Sequence, residues 1–161
     1  MCVSYILDTL YAVPETSFPK TFLSHLKNII MAFKTRLNLG SKEFDVLQCN
    51  FSLSRDVDAK GRPSSGVYGG TIHIEIESTE DTSVIESMVN NQYKPLSGTI
   101  VFKKGEEDAK MKELSFEDGY IIQYNEGIAV NDNTPMTLSF VVSARKLKLG
   151  NADHENDWPK A

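Results

Sequence analysis

Residues 71–77 read Thr-Ile-His-Ile-Glu-Ile-Glu. Ile72, Ile74 and Ile76 recur at every second position, with Thr71, His73, Glu75 and Glu77 between them. A period of two is that of a β-strand, whose side chains point alternately to its two faces. One face of this strand is therefore apolar and covered, and the other is wet or faces a partner.

The same period runs outward in both directions. Upstream, Phe33, Thr35, Leu37 and Leu39 alternate with polar neighbours up to a turn at Gly40-Ser41. Phe44 and Val46 then share one phase, and Leu47, Cys49, Phe51 and Leu53 the other. A phase switch inside one run predicts a β-bulge or a bend. Arg55 to Gly66 (RDVDAKGRPSSG) is polar, with two glycines and a proline, and predicts a long exposed loop. Downstream, one helix is predicted over Val84–Asn91. Ser83 and Glu86 form an S-x-x-E capping box, and Val84, Ile85, Met88 and Val89 make its apolar stripe. Thr99–Lys103 is a short strand before the charged turn Lys103–Asp108. Leu114, Phe116, Tyr120, Ile122 and Tyr124 fall on even positions of one long strand, bent at Gly119. After a turn at Asn131–Pro135, Met136, Leu138, Phe140, Val142 and Ala144 are again even, and Leu147 and Leu149 switch phase. The end, GNADHENDWPKA, reads as polar and irregular.

Six or seven strands, one helix and no internal repeat predict antiparallel pairing in a small barrel or sandwich. Residues 1–30 differ in texture, with Pro14, Pro19 and four aromatics but no strand alternation. Patterning begins at Met31-Ala32-Phe33, so Met31 is expected to be the natural start. Residues 1–30 are read as an N-terminal extension and 31–161 as one domain.

The chain has 161 residues, 40% hydrophobic and 24% charged, with net charge −5. That suits one globular domain and argues against nucleic-acid binding, which needs a basic stripe. It argues equally against docking on an anionic membrane, and no stretch is long and apolar enough to span a bilayer. The segment Val3–Val13 is broken by Asp8 and preceded by no Lys or Arg, so no conventional secretion signal is expected. The two cysteines, Cys2 and Cys49, do not make a disulfide scaffold, and Cys49 reads as a small buried hydrophobe.

Catalytic motifs are missing. There is no G-x-x-x-x-G-K-[ST] phosphate loop, and Gly66, Gly69 and Gly70 precede a strand, where they serve as turn and bulge glycines. There is no G-x-S-x-G elbow, and none of His25, His73 and His154 is placed beside a nucleophile. Glu75 and Glu77 read as a solvated or interface-facing strand side rather than a catalytic pair. Asp153-His154-Glu155-Asn156-Asp157 offers metal-ligating atoms, but adjacent tail residues seldom converge on one ion, and no zinc or EF-hand spacing is present. It reads instead as a solvated acidic tail or a partner contact, with Trp158 docked on its own barrel or on a neighbour. No cofactor or metal is expected. An open β domain has one physical problem of its own: its edge strands expose unpaired backbone groups.

Five blocks in order, SRDVDAKGRPSSGVYGG (54–70), DTSVIESMVNN (81–91), SGTIVFKK (97–104), DAKMKELSFEDGY (108–120) and SARKLKLGNADHENDWP (143–159), resemble one family. It is the Bacteroidetes form of the type VI secretion tube protein, TssD or haemolysin-coregulated protein (Hcp), and the resemblance starts at Met31. It implies a mostly β fold, a small antiparallel barrel with one flanking α-helix, and no enzymatic activity. It implies hexameric rings that stack into a tube inside a contractile sheath. The tube carries a spike at its tip and effector cargo in its lumen. Assembly in the bacterial cytoplasm and leaderless export follow. By position, Arg55, Asp56, Asp58, Lys60, Arg62 and Ser64 fall in the family's extended loop, which reaches an adjacent subunit or ring. Ser83, Glu86 and Asn90 fall on its lumen-side helix, and His154, Glu155 and Trp158 in a C-terminal contact. Two other readings stand beside this one: a monomeric barrel binding a small apolar ligand, and a small enzyme with an unrecognised site.

Overall fold

The computed structural model describes residues 34–105, 109–128 and 135–159. Residues 1–33, with the expected start at Met31-Ala32-Phe33, half of the Lys103–Asp108 turn and all of the Asn131–Pro135 turn but Pro135 lie outside the described residues. In chain order the elements are β1 (Lys34–Leu39), β2 (Lys42–Phe51), β3 (Thr71–Glu77), α1 (Ser83–Val89), β4 (Leu96–Lys103), β5 (Lys110–Gly127), β6 (Thr137–Leu149) and β7 (Ala152–Glu155). All strand pairings are antiparallel, in the order β3-β2-β1-β4-β5-β6-β7, and β3 also pairs with β6. That last pairing, Thr71–Glu77 against Thr137–Ser143, closes six strands into a barrel and leaves β7 as an extra strand on β6.

The alternating residues fill the interior. Leu37, Ile72, Ile100, Val142 and Ala144 are fully buried; Ile74, Ile76, Leu114, Phe116 and Phe140 nearly so. Each large apolar side chain removed from water contributes about 1.5–3 kcal/mol. No polar or charged residue is buried among the described residues. Val46, Cys49, Phe51, Leu96, Phe102, Tyr124 and Leu149 pack around this core partly buried. Burial pushes the Cys49 thiol up to about 11.

The phase switch in β2 is a bulge between Val46 and Gln48. The bulged residue, Leu47, is 55% exposed, so it does not share the inward face of Cys49 and Phe51. Leu53 is exposed as well. The long even-phase strand over 114–124 is interrupted twice. Asp118 takes a positive φ of 51°, after which Gly119 and Ile121 point inward. A second bulge between Ile121 and Gln123 then turns Ile122 outward and returns Tyr124 to the core side. Met136 lies before the start of β6 and is partly exposed. Strand β4 begins at Leu96, three residues ahead of the expected Thr99.

The helix starts at Ser83 with Thr82 at its N-cap, not as the Ser83–Glu86 capping box. The carboxylate of Asp81 accepts the Ser83 N–H at 2.8 Å, and the Thr82 hydroxyl donates to Glu86. Val84 is buried and Met88 packs on the core, whereas Val89 faces solvent. The irregular tail is also corrected: Ala152–Glu155 pair with Lys146–Leu149 as a strand. A polar strand of four residues carries too little alternation to be read from sequence.

Candidate functional site

The segment between β2 and β3 is a narrow two-stranded ribbon rather than an irregular loop. Ser54 and Tyr68 exchange backbone hydrogen bonds at 2.9 and 2.8 Å, and Val57 bridges Pro63. At its tip the Asp58 carboxylate accepts the backbone N–H groups of Lys60 (3.0 Å) and Arg62 (2.9 Å) and pairs with the Arg62 guanidinium at 3.3 Å. Ser64 N–H donates to Asp56 O, and Asp56 N–H donates to Ser65 Oγ, both at 2.9 Å. Asp58 therefore shapes the ribbon, while Arg55, Asp56, Lys60, Arg62 and Ser64 are exposed on it. The ribbon also exposes Val57 and Tyr68. Ser65, which accepts from Asp56 and donates to Gly66 O at 2.8 Å, was not singled out from sequence.

The bulges at Leu47 and Ile122 lie on β2 and β5, the outer members of the run β2-β3-β6-β5. Strand β1 pairs with β2 only over Lys42–Asp45, and β4 pairs with β5 only as far as Gly119. Beyond those points the outer edges of β2 and β5 meet no strand among the described residues. Each of these edges carries one outward apolar residue, Leu47 and Ile122, each 55% exposed. Near the end of β5, Glu126 accepts from Ser78 Oγ and from Tyr124 Oη, the latter at 2.7 Å. Those bonds hold the Glu126 carboxyl below the usual range. Burial, reinforced by Glu126, pushes the Tyr124 hydroxyl up to about 12.

Glu86 on α1 and Asn90 at its C-cap are exposed, but Ser83 Oγ is buried without a hydrogen-bond partner among the described residues. Lys42 Nζ lies 2.6 Å from Asp81, tying the start of β2 to the helix entry. The bonds from Lys42 and Ser83 hold the Asp81 carboxyl down at about 2, and Asp81 raises Lys42.

The C-terminal residues converge on their own barrel. Asn156 Nδ2 donates to Gly69 O at 2.9 Å and to Ala144 O at 3.1 Å, and its Oδ1 lies 3.1 Å from His154 Nε2. Asn156 N–H donates to Arg145 O at 2.8 Å. Arg145 pairs with Asp118 and reaches Glu155 at 4.0 Å. Trp158 packs on Tyr120 with ring centroids 6.1 Å apart. Asn156 sits where β6 leaves β3 for β7 and supplies the donors that both flanking carbonyls need there. Nothing in the run Asp-His-Glu-Asn-Asp marked the asparagine out. Gly70, with φ 102°, leaves room for that amide.

Side chains fill the barrel interior, as six strands require. The depressions are open to the surface, among them a groove of about 300 Å³ lined by Gln48, His73, Glu75, Gln123 and Ser139. Among the described residues no three His, Cys, Asp or Glu side chains are grouped to hold a metal ion. No helix among them is long and apolar enough to cross a membrane.

The model of the family described as Hemolysin coregulated protein Hcp (TssD) matches residues 31–159. The chain belongs to this family. Hcp1 from Flavobacterium johnsoniae is 37% identical, with 76% of this chain and 99% of that one covered and a TM-score of 0.72. Hcp1 from Salmonella typhimurium is 11% identical over 74% of this chain and 86% of that one, with a TM-score of 0.61. The sheath/tube terminator of an extracellular contractile injection system, PVC, is 13% identical over 72% and 92%, with a TM-score of 0.52. At those identities the last two attest the fold alone. A search of curated proteins found no match. Membership places the chain among the Bacteroidetes-type tube proteins of type VI secretion, a family of structural proteins rather than enzymes.

Proposed function

We propose that this chain is the ring-forming subunit of the type VI inner tube. Six copies close a ring, rings stack into a hollow tube, and a contractile sheath expels the tube with a spike at its tip and effectors in its lumen. Assembly takes place in the bacterial cytoplasm, and delivery by the machine replaces a signal peptide. The functional unit is residues 31–161.

The observation that carries the reading is the pair of open edges on β2 and β5, each with an outward apolar residue. Unpaired edges are templates for another chain. Two different edges meeting make a heterologous contact, which closes into a ring when the rotation allows. The exposed ribbon with Arg55, Asp56, Asp58, Lys60, Arg62 and Ser64 supplies contacts to a neighbouring subunit or ring. Glu86 and Asn90, with Ser83 beneath them, border the lumen side. His154, Glu155 and Trp158 brace the C-terminal contact. A ligand-binding barrel has no observation in its favour, because side chains occupy the interior.

The test is mass by light scattering after size exclusion, with electron microscopy of the peak. The expected result is a species of six subunits and stacked tubes. Leu47→Asp and Ile122→Asp should each remain folded, since exposed changes cost about 0.5 kcal/mol or less, yet yield monomers. A wild-type chain that stays monomeric at high concentration overturns the ring reading. Variants that form rings as well as wild type overturn the edge assignment.

A further inference from the structure

The two edge strands carry the same short pattern at their bulges. Val46-Leu47-Gln48-Cys49-Asn50 on β2 and Ile121-Ile122-Gln123-Tyr124-Asn125 on β5 each read aliphatic, aliphatic, Gln, any residue, Asn. In both, the bulged residue is the second aliphatic, and the residue after the glutamine packs on the core. Five residues are too few to stand out as a repeat until the bulges align them. Gln48, Asn50, Gln123 and Asn125 are all exposed. Their side-chain amides make no hydrogen bond among the described residues.

Strand pairing sets these amides at the two ends of the same rows. Gln48, Glu75, Ser139 and Asn125 stand opposite one another across β2, β3, β6 and β5, and Asn50, His73, Val141 and Gln123 form the next outward row. Between them runs an inward row, Cys49, Ile74, Phe140 and Tyr124, that packs in the core. Each outward row thus begins on one open edge with an amide and ends on the other with an amide, one glutamine and one asparagine. Neither row contains Lys or Arg. β2 and β5 run in opposite directions, because three successive antiparallel pairings separate them. The β5 edge of one copy therefore meets the β2 edge of the next as an antiparallel pair, and the rows run straight on.

We infer that the seam between neighbouring subunits is a ladder of carboxamides, with Asn125 of one copy opposite Gln48 of the next and Gln123 opposite Asn50. The inference rests on the ring reading and adds its register. A carboxamide donates and accepts at once, so Gln and Asn satisfy each other with no charge to desolvate. In this register Tyr124 and Cys49 fall opposite each other on the core side, and Leu47 and Ile122 close the two ends of the ladder. A slip of two residues one way would set Glu126 against Cys49 on the core side. A slip the other way would set the outward Ile122 against the inward Cys49. Register is specified in this way wherever one face is covered, since a mismatch turns side chains to the wrong face.

The test uses the full chain with paired cysteines. Opposite residues of an antiparallel pair have Cα atoms about 4.5–5.5 Å apart, within reach of a disulfide, whereas diagonal neighbours are roughly 7–8 Å apart. Rings of Gln48→Cys with Asn125→Cys, and of Asn50→Cys with Gln123→Cys, should therefore oxidise to covalent ladders up to the full ring on non-reducing gels. Gln48→Cys with Gln123→Cys should give about a tenth as much or less. Wild type, with Cys2 and Cys49 alone, sets the background. A second pair of variants works without cysteines. Gln48→Glu with Asn125→Asp sets like charges opposite each other and should raise the concentration needed for rings by about tenfold. Gln48→Glu with Asn125→Lys should form rings as wild type does. Staggered cysteines that crosslink as well as the opposite ones, or rings indifferent to the paired carboxylates, overturn the register and leave the ring standing. A wild-type chain that forms no rings overturns the tube reading and the seam together.

Discussion

Replacing Asn156 asks whether one side chain holds the fork in β6. Its amide donates to Gly69 O and Ala144 O, and its Oδ1 faces His154 Nε2. Since the amide nitrogen spends its hydrogens on carbonyls, Oδ1 is the acceptor and His154 presents an N–H. A protein hydrogen bond contributes about 0.5–1.5 kcal/mol net. Asn156 is half-buried, so water recovers part of the loss, and Asn156→Ala should cost about 2 kcal/mol. For a domain of this size that is a fall in Tm of roughly 6–10 °C. Asn156→Asp is the sharper probe. At pH 7 a carboxylate there faces two carbonyl oxygens, so the variant should be less stable than the alanine one. Repulsion raises its folded-state pKa above the unfolded value of about 3.9. The penalty is full above the folded pKa and fades as pH falls toward the unfolded one, where the protonated carboxyl can donate. Urea unfolding at matched protein concentration, so that assembly contributes equally, measures both against wild type at pH 7 and pH 3. An alanine variant within about 0.5 kcal/mol of wild type would refute the clamp. So would an aspartate variant whose deficit is the same at both pH values.

Four further outcomes are expected. Gly70→Ala should destabilise by about 3 kcal/mol or more, because a side chain is strained at φ 102° and would overlap the Asn156 amide and Ala144 carbonyl; thermal unfolding reads it. Asp81 is held at about 2 against a usual 3.8, so the stability it lends is present above pH 3.8 and lost as pH falls toward 2. Asp81→Asn should flatten that acid limb in a denaturant series from pH 5 to pH 2. The Cys49 thiol, pushed up to about 11 by burial, should resist a thiol reagent at pH 8 in the native chain and react at once in denaturant. In the ribbon, Lys60→Ala should alter assembly by light scattering without moving Tm, whereas Asp58→Ala should also loosen the tip, seen as faster amide exchange at Lys60 and Arg62.

The sequence alone determined most of the strands, the inward faces of β3 and β6 and the single helix. Alternation at Ile72–Ile76 and Leu138–Ala144 is a local signal, and a residue's face follows from its parity. The bulge in β2 was legible for the same reason, since a parity change has to be absorbed by an extra residue. The resemblance blocks also located the ribbon, α1 and the C-terminal segment. The tertiary structure alone decided closure through β3 and β6, because that pairing joins residues sixty or more positions apart and leaves no mark on either strand by itself. It decided which of Ile121 and Ile122 points inward, since two adjacent isoleucines fit either phase until β6 sets the register. It replaced the predicted capping box with Thr82 at the N-cap and the Asp81 carboxylate accepting the Ser83 N–H, because Ser83 turns its hydroxyl inward. It made a polar tail into a strand and gave Asn156 its place at the fork. Hydrogen bonds to backbone carbonyls depend on where distant segments cross, and composition does not carry that information.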